Sequence, residues 1–155
     1  MSRKIIFGEI DGIKEGDTFI GRKEMMPTSF HRSWGRGIDG NGKEGASAIV
    51  LSGGYKDDYD LGKEIVYTGA GGRDKDGKWV KNQSWDNTGN AGLLFSEDKG
   101  LPIRVIRGSN HKSEFSPSDG YEYGGLYRIV EHWQEKGKSK FIICRFRLIY
   151  CGDNN

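Results

Sequence analysis

The chain has 155 residues, 24 Lys and Arg against 22 Asp and Glu, and a formal net charge of +2, a size that suits one domain around one core. So small an excess of positive charge does not announce a nucleic-acid binder; what matters is whether basic residues gather on one face. The 25 glycines and the scarcity of long apolar runs exclude a helical bundle and favour short strands joined by tight turns. From the N-terminus, Arg3 and Lys4 lead into only a short Ile-Ile-Phe run, which is no cleavable leader, and no stretch is long enough to span a membrane. A soluble, intracellular protein with no membrane partner is expected.

β-Branched and aromatic content predicts strands over residues 18–25, 45–51, 64–67, 103–107, 125–133 and 141–150. The last is the clearest: Ile142, Cys144, Phe146 and Leu148 alternate with Ile143, Arg145, Arg147 and Ile149, a period of two with one apolar face and one partly basic face. Asn87 or Thr88 caps a short helix through Ala91, Leu93, Leu94 and Phe95 that ends before Gly100. The run EKGKSK at 135–140 reads as a solvated turn before the last strand. No repeat, low-complexity run or proline-rich linker divides the chain, so a single domain over 1–155 is expected. Cys144 and Cys151 make neither a disulfide framework nor a CxxC pair, and read as buried free thiols.

The richest stretch is SGGYKDDYDLGKEIVYTGAGG at 52–72. Tyr55 and Tyr67 offer ring faces, Asp58 a carboxylate and Thr68 a hydroxyl, while Gly53, Gly54, Gly69, Gly71 and Gly72 let backbone groups approach closely. A flat polar ring such as a nucleobase has these needs. Cytosine presents an amino donor beside ring acceptors, which a carboxylate and backbone N–H groups complement. The same residue types also build ordinary tight turns in β-rich proteins, with Asp capping and Gly supplying positive φ. On chemistry alone both readings stand.

The spacing resembles a family. GGYKDDYDLG followed by IVYTGAGGRD is similar to the signature of the SRA (SET- and RING-associated, or YDG) domain. FGEIDGIKEGDTF at 7–19, FHRSWGRGIDG at 30–40, LPIRVIRG at 101–108 and GGLYRIVEHWQEKGKSKFIICRFRL at 124–148 extend the resemblance, in order, over nearly the whole chain. It implies an α+β, mainly β fold: a twisted, barrel-like SRA/PUA-like sheet flanked by a few short helices. It also implies recognition of 5-methylcytosine or 5-hydroxymethylcytosine in double-stranded DNA, with the base flipped out of the stack. By that resemblance Tyr55 and Tyr67 sandwich the ring and Asp58 accepts from the cytosine amino group. Thr68 and the backbone of Ser52, Gly53 and Gly54 complete the polar edge, and Gly69 and Ala70 line a niche for the 5-substituent. Thymine offers an acceptor where Asp58 needs a donor, and is rejected. Asp57 and Asp60 are expected in structural roles.

The resemblance further implies two DNA-contact loops. In the first, Phe30 is the candidate wedge, with His31, Arg32, Trp34 and Arg36 beside it; a core role suits Phe30 equally by residue type. In the second, Asp76-Gly77 is a turn, and Lys78, Trp79, Val80 and Lys81 form a tip behind Arg73 and Lys75. Trp79 stands where better-known eukaryotic members have polar and basic residues, which leaves any preference for hemimethylated sites open. The basic residues, with Lys56, are candidates for phosphate contacts.

No cofactor or metal is expected, because His31, His111 and His132 lack ligand spacing. Asp60 with Asp76 and Lys78 faintly matches a metal-dependent nuclease pattern, and this is the enzymatic alternative; a β domain that binds a small molecule or a protein is the other. His111, Ser113 and Asp119 make a triad only on paper. The compact loops resemble the N-terminal SRA domain of bacterial modification-dependent SRA-HNH restriction endonucleases. That implies a bacterial cytoplasmic, nucleoid-accessible setting and a fused or partner nuclease domain that does the cutting.

Overall fold

The computed structural model describes residues 4–152; Arg3, read above for a leader, and both ends of the expected 1–155 domain lie outside them. The elements are β1 (Thr18–Phe19), α1 (Arg22–Met25), β2 (Ile38–Asn41), β3 (Gly45–Leu51), β4 (Tyr59–Asp60), β5 (Glu64–Thr68), α2 (Thr88–Lys99), β6 (Ile103–Gly108), β7 (Tyr121–Lys136) and β8 (Ile142–Tyr150). They form one sheet in the order β2-β3-β6-β7-β8-β5-β4, with β1 added along β7. The sheet is open, with β2 and β4 at its ends. Among the described residues only β3 and β6 pair in parallel; the other ladders are antiparallel. The protein is therefore mainly β with few short helices.

β3 is buried along its whole length, as expected of a central strand covered on both faces. Ile49 and Leu51 join a cluster with Ile65, Leu93, Val105, Phe146 and Leu148, while Ala48 and Val50 join another with Met25, Phe30, Ile106, Tyr123 and Leu126. Each fully buried Val, Leu, Ile, Phe or Met among them is worth about 1.5–3 kcal/mol. In β8, Cys144, Phe146 and Leu148 enter the first cluster as the alternation indicates, whereas Ile142 is only half-buried and Ile143 and Arg145 of the opposite face are buried as well.

Helix α2 starts where its sequence places it. The Asn87 side chain accepts from the N–H groups of Gly89 and Asn90, and Gly100 ends the helix at φ 68°. Small residues bring it onto the sheet. A Cβ at Gly92 would lie 2.9 Å from the Asn41 nitrogen, and the buried Ser96 hydroxyl bonds both backbone groups of Ala46.

Three expectations change. The predicted 18–25 strand ends after Phe19, because Gly21 turns the chain into α1 and the Glu24 carboxylate takes the Ile20 N–H at 2.6 Å. The short edge strands β2 and β4 carry no clear pattern: one is Ile-Asp-Gly-Asn, the other two residues long. Glu135 and Lys136 belong to β7 rather than to the turn, which closes over Gly137 to Phe141 with Lys140 at φ 75°.

Candidate nucleic-acid interface

The end of β3 and the end of β5 open a gap in which the 52–58 loop folds back. A cavity of about 210 Å³ results, walled by Ser52, Gly54, Tyr55, Asp58, Tyr67 and Ala70, with Gly35, Gly37, Ile38, Val50 and Arg73 completing it. It is smaller than the ~300–1,000 Å³ usual for extended ligands and suits a single ring. A larger cleft of about 610 Å³ lies beyond Asp60, between Leu61, Phe115, Tyr127 and Tyr150. That cleft also holds two phenol rings, a carboxylate and glycines, but its Tyr127 and Tyr150 hydroxyls are spent on the Gly62 carbonyl and Glu15; the smaller cavity is the one walled by Tyr55, Asp58 and Tyr67.

Tyr67 is held at 4% exposure in the first cluster. A Cβ at Gly37 would come within 3.1 Å of its hydroxyl, which explains a glycine there. Tyr55 is half-buried and is braced by Trp79, edge-on at 5.9 Å, which itself stacks on Phe141 at 6.1 Å. The Arg73 guanidinium lies over the Tyr55 ring, 4.0 Å from its centroid.

Asp58 accepts the backbone N–H of Thr68 at 2.7 Å. Burial pushes its carboxyl up to about 6, although hydrogen bonds from the Thr68 backbone and side chain and the charges of His111 and Arg145 pull it back. Thr68 was expected on the polar edge. It is fully buried behind Asp58, its hydroxyl 3.2 Å from Arg145 Nη1, so it supports the carboxylate and does not wall the cavity. Gly53, at φ 80°, packs on Asn110, where a Cβ would fall 2.3 Å from the carbonyl oxygen. Gly69 packs as closely on Asn90, with a Cβ 2.4 Å from Oδ1.

Two buried amides that the sequence did not single out fix the 69–71 turn. Asn90 Oδ1 accepts from the Ala70 N–H and its Nδ2 donates to the Ala70 and Ser84 carbonyls. Gln83 Nε2 donates to the Gly69 and Gly71 carbonyls, while its Oε1 accepts from the Cys144 N–H. Lone amides in a loop and a helix carry no sequence signal that separates them from surface residues.

The neighbouring acids hold structure. Asp57 Oδ1 accepts the Lys138 N–H and its carbonyl accepts from Arg145, tying the β7–β8 turn to the loop. Asp60 meets Arg107 at 2.7 Å and His111 at 2.9 Å, with 2% of its side chain exposed. Burial alone would raise its carboxyl, but hydrogen bonds from His111 and Arg107 outweigh it and hold it well below the usual carboxylate range. Its oxygens are taken, and Asp76 sits in an exposed turn, so the nuclease grouping of Asp60, Asp76 and Lys78 gains no support. His111 and Ser113 converge on Asp60 rather than Asp119. Among the described residues no cluster of His, Cys, Asp and Glu is arranged to hold a metal ion.

Two members of the first predicted contact loop face inward. Phe30 is fully buried, stacked 4.9 Å from Phe19 and edge-on to Tyr123; its ring fills the second cluster and is no wedge. His31 is also fully buried, 3.0 Å from the Gly37 carbonyl, and burial lowers its pKa to about 4. Arg32 pairs with Asp39 at 2.9 Å. Trp34, 64% exposed, and Arg36 are what this loop presents to solvent. In the second loop, Arg73 and Trp79 face each other across a bridge, so the tip is the Asp74–Lys78 turn. Trp79 thus lies at the base of the finger and turns inward, filling the space over Gly72, where a Cβ would meet its ring at 2.5 Å. Lys75, Lys78, Val80 and Lys81 are exposed.

The profile of the SAD/SRA domain matches residues 6–154. The chain belongs to the SAD/SRA family. Among solved structures, this SRA domain superposes on the modification-dependent TagI restriction endonuclease with TM-score 0.94 and 44% identity, covering 97% of this chain and 54% of that one. The SUVH5 SRA domain, solved with fully methylated and with fully hydroxymethylated CG DNA, matches at TM-score 0.79 with 37% and 36% identity and covers 94% of each chain. A UHRF1-like protein of Cryptococcus neoformans var. grubii is 40% identical over 152 residues, 90% of this chain and 44% of that protein. This SRA domain thus spans about half of the TagI and Cryptococcus chains.

Proposed function

We propose that this SRA domain reads 5-methylcytosine or 5-hydroxymethylcytosine in duplex DNA by taking the base into the Tyr55–Tyr67 pocket. It would serve as the recognition part of a modification-dependent restriction system in the bacterial cytoplasm. The observation that carries the reading is Asp58: a carboxylate that walls the same one-ring cavity as the phenol rings of Tyr55 and Tyr67, held by the Thr68 N–H. The 5-position of cytosine faces the major groove, but a wall around the whole ring requires the nucleotide to leave the stack, at a few kcal/mol. Stacking on Tyr55 and Tyr67 returns roughly 1–3 kcal/mol, and the hydrogen bond to Asp58 adds to it. The SUVH5 complexes with methylated and hydroxymethylated CG DNA support the choice of ligand, and the TagI likeness supports restriction as the setting; cutting would fall to a separate HNH domain.

Ser52, Gly54 and Ala70 complete the wall of the base site, with Thr68, Gly53 and Gly69 behind it in support. Trp34, Arg36, Arg73, Lys75, Lys78, Val80 and Lys81 form the duplex-facing rim, whose basic members touch phosphate and set affinity rather than sequence. Fluorescence anisotropy at fixed moderate salt tests this, comparing duplexes with a central cytosine, 5-methylcytosine or 5-hydroxymethylcytosine. Tighter binding of a modified duplex, lost in Asp58→Ala, is expected; equal binding of all three refutes the reading.

A further inference from the structure

Of the residues that wall the pocket, Arg73 alone is basic. Its guanidinium lies 4.0 Å from the Tyr55 ring centroid, a stacking distance, and donates to the Gly54 carbonyl on the pocket rim. Trp79 also touches Tyr55 but does not wall the cavity. Arg73 thus both walls the cavity and covers a face of the Tyr55 ring. Gly54 makes room for this arrangement, since a Cβ there would stand 3.2 Å from Arg73 Nη2. A guanidinium is planar, edged with donors, and stacks on aromatic rings as a base does.

We infer that Arg73 is a placeholder for the flipped base: its guanidinium rests on the stacking face of Tyr55, leaves as the base enters, and so helps to decide which bases are admitted. This rests on the pocket taking a base, as proposed above. Displacing the guanidinium costs the same for every base, so the ranking of bases does not change. What it sets is the threshold that insertion must clear against staying in the duplex. A modified cytosine, with its extra contact in the pocket, clears that threshold more readily than a plain one. Once displaced, Arg73 stands at the base of a finger that carries Lys75 and Lys78, within the rim where a guanidinium can pair with phosphate.

Arg73→Lys keeps the charge and removes the planar stack. Stopped-flow fluorescence of duplexes with 2-aminopurine beside the target cytosine follows the base leaving the stack. Insertion of 5-methylcytosine should be about five-fold faster in Arg73→Lys than in the wild type, the scale of one lost cation–π contact, and plain cytosine should gain an insertion signal. Rates equal to or below wild type overturn the placeholder. A second measurement needs no variant. The Arg73 side-chain resonances of the wild-type protein, displaced by the Tyr55 ring current, should return toward ordinary values when the 5-methylcytosine duplex is added; resonances that stay put overturn the inference. If the wild type discriminates modified from plain duplexes and Arg73 neither moves nor alters insertion, only the placeholder falls. If the wild type binds both duplexes equally, the base-reading function falls and the placeholder with it.

Discussion

Asp58 and Asp60 stand two positions apart on one short segment, and the regions around them solve opposite problems. Behind the pocket, Asp60 is saturated by Arg107, His111, the Gly62 N–H and the Ser113 hydroxyl. Within the pocket, Asp58 takes its bonds from Thr68 alone and still borders a cavity. One carboxyl is held below its usual range and the other pushed up to about 6. The difference separates a carboxylate whose bonding capacity is spent on the fold from one that retains capacity for a ligand. Both belong to the same Asp-rich motif, so residue type alone does not distinguish them.

The sharpest way to break the contrast is at Asp60. Asp60→Ala leaves Arg107 as a buried cation without its carboxylate, which costs about 3–5 kcal/mol; chemical denaturation should show that loss, and a change below 1 kcal/mol would mean the network is not structural. Asp58→Ala should leave the fold standing and instead remove about 1.5–3 kcal/mol of preference for the modified duplex, the value of a hydrogen bond to a charged group. The two substitutions thus exchange phenotypes, one seen in melting and one in binding.

Acid should sharpen the comparison further. Above pH about 6 Asp58 is ionised and accepts from the cytosine amino group; below it the protonated carboxyl loses that acceptor. Preference for the modified duplex should therefore be full near pH 7.5 and decline several-fold as pH falls through about 6. The pairing of Asp60 with Arg107 should persist across that interval, because its carboxyl titrates lower still. A preference that stays flat from pH 7.5 to 5.5 would remove Asp58 from base recognition. The smallest expected effect is at the rim: Lys78→Ala or Lys81→Ala should weaken modified and plain duplexes equally and reduce the salt slope by about one.

Much of the pocket is legible in the sequence, because most of its wall comes from one stretch with unusual local chemistry. Tyr55, Asp58 and Tyr67 announce themselves by type and by the glycines around them. The parts that escaped depend on which way a side chain turns. Phe30 beside His31 and Arg32 reads equally as a wedge or as core, and only the neighbouring Phe19 and Tyr123 rings decide for the core. The Asp76-Gly77 turn is visible in sequence, but the two-residue offset that puts Trp79 at the base of the finger is set by the bridge to Arg73. Gln83 and Asn90 act through contacts with distant backbone, and the 18–25 strand was lost to one glycine and one carboxylate that start a helix.

Asn90 has a consequence for the thermodynamics of recognition. By clasping both backbone groups of Ala70 from a capped helix, it orders one wall of the pocket during folding rather than during encounter. Little conformational entropy of this turn is left to lose when a ligand arrives. The heat-capacity change on binding should then reflect surface buried between protein and duplex, with no component from coupled folding of residues 69–71.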